Sequence, residues 1–515
     1  MFAYLAIYSW PVIVAVLFKT SRMPVALLAS IIAGYLLLPL DTGLDLPALP
    51  TLDKTSIPAL SAFVAVLILG RDGETDLRPG WMPRAGLAWG LIVLLMLAGF
   101  MTVMTNTDPV VSPGRYLPGL RPWDGFSSLV STAMTLLPLV LARKVLAHPD
   151  QHRLLLAGLA IAGVIYSLPA LFEVRMSPQL NLMVYGFFPR GADNWAQQLR
   201  GSGFRPLVFL EHGLWLSSFL AMAGLSVFGL VRHSSPAIRL VAFVAGLWLL
   251  GTLFLSKSLG ALMIFLVLAP VILLTRTRTH LLVAAVLSAG VLTYPLLRGA
   301  DLAPVNLALE WAQGVNQDRA SSLNFRLNNE DRLLDKAQQR PVFGWGSWGR
   351  NEVYDETGRN ITITDGYWII IIGQGGWVRY LLEFGLLCIP ALLVLRHRKR
   401  FEIGWETSVL VIVLTANLVD LIPNATITPL TWLIAGALWG RLELGRIASA
   451  PIADRVQEMP GPAAPMAAPA PKRIPPRARP PKAAFETRDA TAPSRYTRYP
   501  RRAGTTKDDR GSDDE

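Results

Sequence analysis

Long apolar runs separated by short polar intervals set the pattern of this chain from its first residues. FAYLAIYSWPVIVAVLF, GLIVLLMLAGFM and LVAFVAGLWLLGTLFL are three of them, and none shows the two-residue alternation of a half-buried strand. A helix needs ~20 mainly apolar residues to cross the hydrocarbon layer. Runs approaching that length mark spans at 2–18, 23–40, 57–70, 86–104, 127–142, 154–172, 207–231, 239–255, 258–275, 281–297, 366–395, 407–422 and 427–441. The pattern predicts an all-α, polytopic transmembrane helical bundle of about 12–14 spans with one large outer loop.

Composition agrees. Of 515 residues, 52% are hydrophobic and 16% charged, where soluble domains carry about 25% charged residues. The net charge of +12 matters here through its placement. Lys19/Arg22, Arg71/Arg78/Arg84, Arg143/Lys144/Arg153, Arg232/Arg239, Arg276/Arg278 and Arg396/Arg398/Lys399/Arg400 fall in every second loop, which assigns those loops to the cytoplasm. The N-terminus is then outside and the C-terminus inside. The first span lacks a basic N-terminal region and a small-residue cleavage site, so it reads as a retained helix.

Two outer loops, 173–206 and 298–365, exceed the ~2–8 residues that connect neighbouring helices. Beyond the transmembrane domain, 1–446, residues 447–515 become PGPAAPMAAPAPKRIPPRARPPKAA and a basic stretch with an acidic end. Such a composition predicts a disordered cytoplasmic tail. The single Cys388 excludes an intrachain disulfide. No GxxxxGK[ST], HExxH or Cys/His metal spacing occurs, and the glycine-rich GWGSWG lies on the side away from cytosolic nucleotides, so no cofactor, metal or nucleic acid is expected.

Candidate chemistry gathers on the outer side. Arg200 and Arg205 lead into GFRPLVFLEHGLWLS, where Glu211 and His212 are expected one turn inside a span; an ionisable group there is a functional candidate, against the plainer reading of a local pair at the interface. In the main loop, Arg326, Glu330, Asp331, Arg332, Asp335 and Lys336 have helical spacing. The plain reading is a solvated helix laced with ion pairs. The sequel PVFGWGSWG supplies glycines for close backbone approach and Trp345 and Trp348, which can stack on sugar faces or sit in the headgroup belt. Guanidinium groups bind phosphate in bidentate geometry. Outer arginines therefore suggest a lipid-linked diphosphate or an anionic headgroup.

These residues carry a resemblance. Arginines followed by Pro341, Gly344 and Gly346, then a polar residue opening a span that reaches Glu383-Phe384-Gly385-Leu386, with GSGFRPLVFLEHG and LSKSLGALM upstream, resemble the bacterial O-antigen ligase and polymerase family over roughly residues 150–440. The resemblance implies an inner-membrane glycosyltransferase using an undecaprenyl-diphosphate-linked glycan and a glycan or lipid acceptor; in such a membrane the outside N-terminus read from the basic loops is periplasmic. It also implies outer-face arginines on the diphosphate, here Arg200, Arg205, Arg326 and Arg332, and no nucleotide sugar or metal. The ligases carry a histidine late in the long loop as the base; here 298–365 has none, and Thr364-Asp365-Gly366-Tyr367 stands in its place. That departure favours a polymerase or exopolysaccharide-assembly relative, with Asp365, His212 or Glu211 as base. The rival classes are a transporter or flippase of lipid-linked glycans and a non-catalytic assembly component.

Overall fold

A computed structural model of the chain describes residues 2–449 apart from 47–48, 70–78, 82–85, 113, 190–197, 201–202, 301, 303–304, 306–308, 311–312 and 315–316. The helices are α1 (Phe2–Thr20), α2 (Met23–Leu37), α3 (Ile57–Leu69), α4 (Gly86–Met104), α5 (Pro122–Val145), α6 (Pro149–Met176), α7 (Leu180–Tyr185) and α8 (Gly213–Arg232). They continue as α9 (Pro236–Leu255), α10 (Leu259–Leu274), α11 (Thr277–Gly299), α12 (Gln317–Gln338), α13 (Tyr367–His397), α14 (Trp405–Asp420) and α15 (Pro429–Ser449). Strand pairing among the described residues is confined to two short antiparallel hairpins, β1 (Val110–Ser112) with β2 (Arg115–Leu117) and β3 (Leu199–Arg200) with β4 (Gly203–Phe204), and to isolated bridges. Eight of the described helices are long and apolar enough to cross a membrane, and three more, α2, α3 and α10, are apolar but shorter. The chain is an all-α, multi-pass membrane protein.

Every predicted apolar run falls on a helix, α7 and α12 being the additions in the two long loops. Proline opens α5, α6 and α9, where its missing N–H costs no hydrogen bond. Inside the bundle α8 packs on α6, α9, α10 and α14 and is 83% buried over its apolar window. Helix α15 lies against α5 through Gly436 and Gly440. A Cβ there would stand 2.2 Å from the Leu139 carbonyl oxygen and 2.4 Å from that of Arg143, so this small-residue pair lets two helix backbones touch.

Up-and-down connection sorts the helix ends into two sets. One end is held by buried Arg143, bonded to Glu443 and to the carbonyls of Gly80 and Trp81, and by His152 and His280, which reach Thr407 at 3.0 Å and Ser408 at 3.1 Å. The other end carries the described residues of 38–56, 105–121, 177–212 and 300–366, and these are tied across the bundle. Lys54 Nζ donates to the Phe209 carbonyl at 2.5 Å, Asn106 Nδ2 to that of Gly344 at 2.9 Å, and the Tyr367 amide to that of Leu421 at 3.0 Å. We call this the site end.

Two boundaries differ from the sequence reading, both for hydrogen-bonding reasons. Residues 207–212 are not the first turn of a span. The helix starts at Gly213, with His212 as its N-cap, because the Leu207 and Val208 amides turn instead to the fully buried Glu173 carboxylate at 2.8 and 2.7 Å. Glu211 and His212 therefore precede the helix. The predicted span 366–395 is also interrupted, at Gly376, whose φ is 67°. There the 341–346 loop enters the break: Trp345 and Gly346 amides donate to the carbonyls of Gly373 and Gln374 at 2.9 and 2.8 Å, and the Trp377 amide donates to the Pro341 carbonyl at 2.8 Å. A broken helix persists within a membrane protein only where other protein groups take over its backbone bonds. At Gly344, φ is +66° and a Cβ would lie 2.5 Å from Gln374 backbone, which is why glycine stands in this plug.

Helix α15 continues to Ser449, slightly past the expected start of the tail at 447. The remainder of the predicted tail lies outside the described residues.

Candidate functional site

Helix α12 is amphipathic, and its apolar positions Leu333, Leu334 and Ala337 are buried as it packs against α13. That contact sets its polar residues over the site end. Asn329 Oδ1 accepts the Ile363 amide at 3.1 Å, fastening the 361–365 segment to α12. The same fastening brings Asp365 Oδ2 to 3.4 Å from Arg326 Nε, both side chains about one-third exposed (29% and 34%). Arg326 Nη1 also lies 3.5 Å from the Pro423 carbonyl oxygen.

One turn along, Glu330 does not pair with Arg326 as the four-residue spacing suggests. It lies 4.0 Å from Arg298 Nε, and the same guanidinium holds Asp331 at 2.5 Å. Burial pushes the Asp365 carboxyl above its usual range, with Arg326 pulling it back. Burial raises Glu330 further, to about 7, the nearby Arg298 charge offsetting part of it.

The sign of the Glu330 effect is fixed by linkage. With its folded pKa above its ordinary value of 4.5, the folded state holds the proton more tightly, so its contribution is present at low pH and is lost as pH rises through about 7. Glu330→Gln should therefore flatten the profile: little difference from wild type at pH 4.5, and up to ~3 kcal/mol greater stability at pH 8. Thermal unfolding of both proteins in one detergent across that range checks this, and parallel profiles would count against a buried, perturbed Glu330.

A second cluster lines a cavity of about 510 Å³ at the same end, between the close of α2, the 38–56 segment and the approach to α8. Asp41, Asp53, Lys54 and Glu211 face it. Burial lowers the Lys54 ammonium to about 7, against the opposing pull of Asp53 and Glu211. Glu211 is raised by burial and then by Asp41, with Lys54 acting the other way. Its carboxylate opens onto the cavity while protein surrounds it on the other sides, so it is exposed yet partly desolvated.

The remaining predicted residues are dispersed. His212 Nδ1 accepts the Leu214 amide at 3.2 Å, capping α8. Arg205 reaches the Lys257 carbonyl at 3.3 Å and packs beside Gly213. Arg200 pairs through its backbone with Gly203, and its side chain lies outside the described residues. Arg332 is on the exposed face of α12, away from Arg326. Trp345 is only 8% exposed, with Lys336 at 3.8 Å and Arg340 at 4.4 Å over its ring. It is thus unavailable to stack on a sugar, because two cations already cover its face. Trp348 is 64% exposed and remains available.

Several residues of this end escape a sequence reading. Arg340 grips Asp108, whose carboxyl that bond holds below the usual range, and Arg350, 1% exposed, donates to the Trp345, Pro118 and Asp108 carbonyls. Both are engaged in tying the 340–350 loop to residues 106–118. Lys54 carries one weak signal, its position beside Asp53 in a short loop between spans. Among the described residues no group of three or more His, Cys, Asp or Glu is placed to hold a metal ion. Compared with known proteins, the chain matches no protein-family model and no curated sequence.

Proposed function

We propose that this protein is an inner-membrane enzyme of bacterial polysaccharide assembly, a ligase- or polymerase-like glycosyltransferase acting on an undecaprenyl-diphosphate-linked glycan at the periplasmic face. The observation that carries the reading is the Arg326–Asp365 pair, a partly exposed guanidinium and carboxylate held face to face at the site end. Transfer of a glycan from a lipid diphosphate needs a base for the acceptor hydroxyl and a cation for the departing diphosphate. This pair contains one of each.

In the proposed reaction the acceptor oxygen forms a bond to the anomeric carbon, its proton passes to Asp365, and the bond from that carbon to the diphosphate oxygen breaks. The diphosphate leaves with the electron pair, and Arg326 stabilises its charge. Before substrate arrives, Arg326 neutralises Asp365. An incoming diphosphate competes for the guanidinium, releases the carboxylate and, as a nearby negative charge, raises its basicity. Asp331, paired with Arg298 at 2.5 Å, holds α12 in place over the pair. The periplasmic placement is supported by the described basic loop residues, Lys19, Arg143, Arg232, Arg276 and Arg396 among them, which lie at the opposite end of the bundle and by the positive-inside rule favour the cytoplasm.

Profiling of undecaprenyl-linked glycans in a deletion strain tests the reading. Accumulated lipid-linked repeats, relieved by the wild-type gene, are expected. A profile identical to the parent strain would overturn it.

A further inference from the structure

The cavity of about 510 Å³ between the close of α2, the residues before α3 and the approach to α8 takes no part in the proposed proton transfer. Its volume lies within the ~300–1,000 Å³ range of small-molecule sites. Its walls also carry unspent hydrogen-bonding groups. The Tyr35 hydroxyl, on a residue only 5% exposed, lines the cavity and has no hydrogen-bond partner among the described residues. Glu211 likewise takes no hydrogen bond from any described residue. By contrast Asp53 is used by Thr55 at 2.6 and 2.8 Å, and Asp45 by Thr51 at 2.5 Å, so those two carboxylates stiffen their own loop.

We propose that this cavity is a subsite for one sugar unit, neutral or amine-bearing, with Tyr35 and Glu211 reading its hydroxyl groups. A buried polar group without a partner costs about 1–3 kcal/mol, and a sugar hydroxyl, at once donor and acceptor, satisfies a phenol and a carboxylate together. Lys54, fixed to the Phe209 carbonyl at 2.5 Å, adds a further donor on the wall. Trp215 supplies an aromatic surface, held edge-on to His212 with ring centres 6.3 Å apart. The sign of the charge sets the class of ligand: Asp41, Asp45, Asp53 and Glu211 outnumber Lys54, so a phosphate or uronate is repelled. The diphosphate and the sugar read here are thereby kept on different clusters, joined through the 420–429 segment, which bonds Arg326 at Pro423 and contributes Ile427 and Pro429 to the cavity.

The inference extends the transferase reading, but its test needs no catalysis. The full chain in lipid nanodiscs is titrated with glucose, galactose, mannose, N-acetylglucosamine, galactosamine and glucuronate, and binding is read by saturation-transfer NMR. At least one neutral or amino sugar should bind, and glucuronate should bind at least tenfold more weakly. Tyr35→Phe, which deletes one oxygen, should weaken binding about 3–10-fold, and Glu211→Gln about 10–100-fold, both with wild-type thermal unfolding. Binding by none of the six, equal binding of glucuronate, or two folded variants that bind like wild type would each overturn the subsite. Failure here together with lipid-linked glycan accumulation in the deletion strain removes the subsite alone. Sugar binding with an unchanged lipid profile removes the transferase reading alone.

Discussion

Asp365→Asn is expected to lower glycan transfer by about 10²–10⁴-fold, the usual worth of a general base, with protein levels and thermal unfolding close to wild type. The amide keeps the shape of the side chain and can still accept from Arg326, 3.4 Å away in the wild type, so loss of activity would report lost basicity. Arg326→Lys completes the test. It keeps the charge but removes the planar fork, and should impair transfer while leaving the Asp365 carboxylate in place. Transfer is measured as the ratio of polymer or capped product to undecaprenyl-linked precursor in complemented deletion cells. Full complementation by Asp365→Asn together with failure of His212→Ala would move the base to His212. Full complementation by both would end the proposal that either group catalyses transfer.

The second large effect concerns Glu173, which is fully buried. Its Oε2 accepts the Leu207 and Val208 amides at 2.8 and 2.7 Å, and its Oε1 the Leu180 amide at 2.9 Å. Removing the carboxylate strands two buried N–H groups and one part-buried one, at about 1–3 kcal/mol for each buried group, from a fold whose whole margin is about 5–15 kcal/mol. Glu173→Ala should therefore fail to accumulate, or melt far below wild type in detergent. Glu173→Gln should fall between, because an amide offers one acceptor oxygen where the carboxylate offers two. A melting temperature within a degree or two of wild type for the alanine variant would show that the approach to α8 does not depend on this acceptor.

What could be read from the residues divides along physical lines. Helix existence and order were legible because a span must satisfy its own backbone and bury its side chains in lipid, a requirement written into each run of about 20 residues. The helix over Arg326–Lys336 was legible by its spacing too. Its partners were not: Glu330 sits by Arg298 and not by Arg326, four residues away, because the packing of α12 on α13 decides which way each side chain faces. Trp345 illustrates the same limit, since an aromatic in a glycine-rich loop looks alike in sequence whether it awaits a ligand or, as here, lies under two cations.

The sequence by itself determined the all-α, multi-pass architecture and the residue types gathered in the long loops. Tertiary structure alone decided that Asp365 meets Arg326, that Glu211 opens onto a cavity with Lys54 and Tyr35, and that the 341–346 loop fills the break at Gly376. The reason is the range of the forces. Hydropathy acts residue by residue along a run, whereas an ion pair, a desolvated carboxylate or an exchanged backbone bond needs atoms brought within a few ångströms from segments tens to hundreds of residues apart.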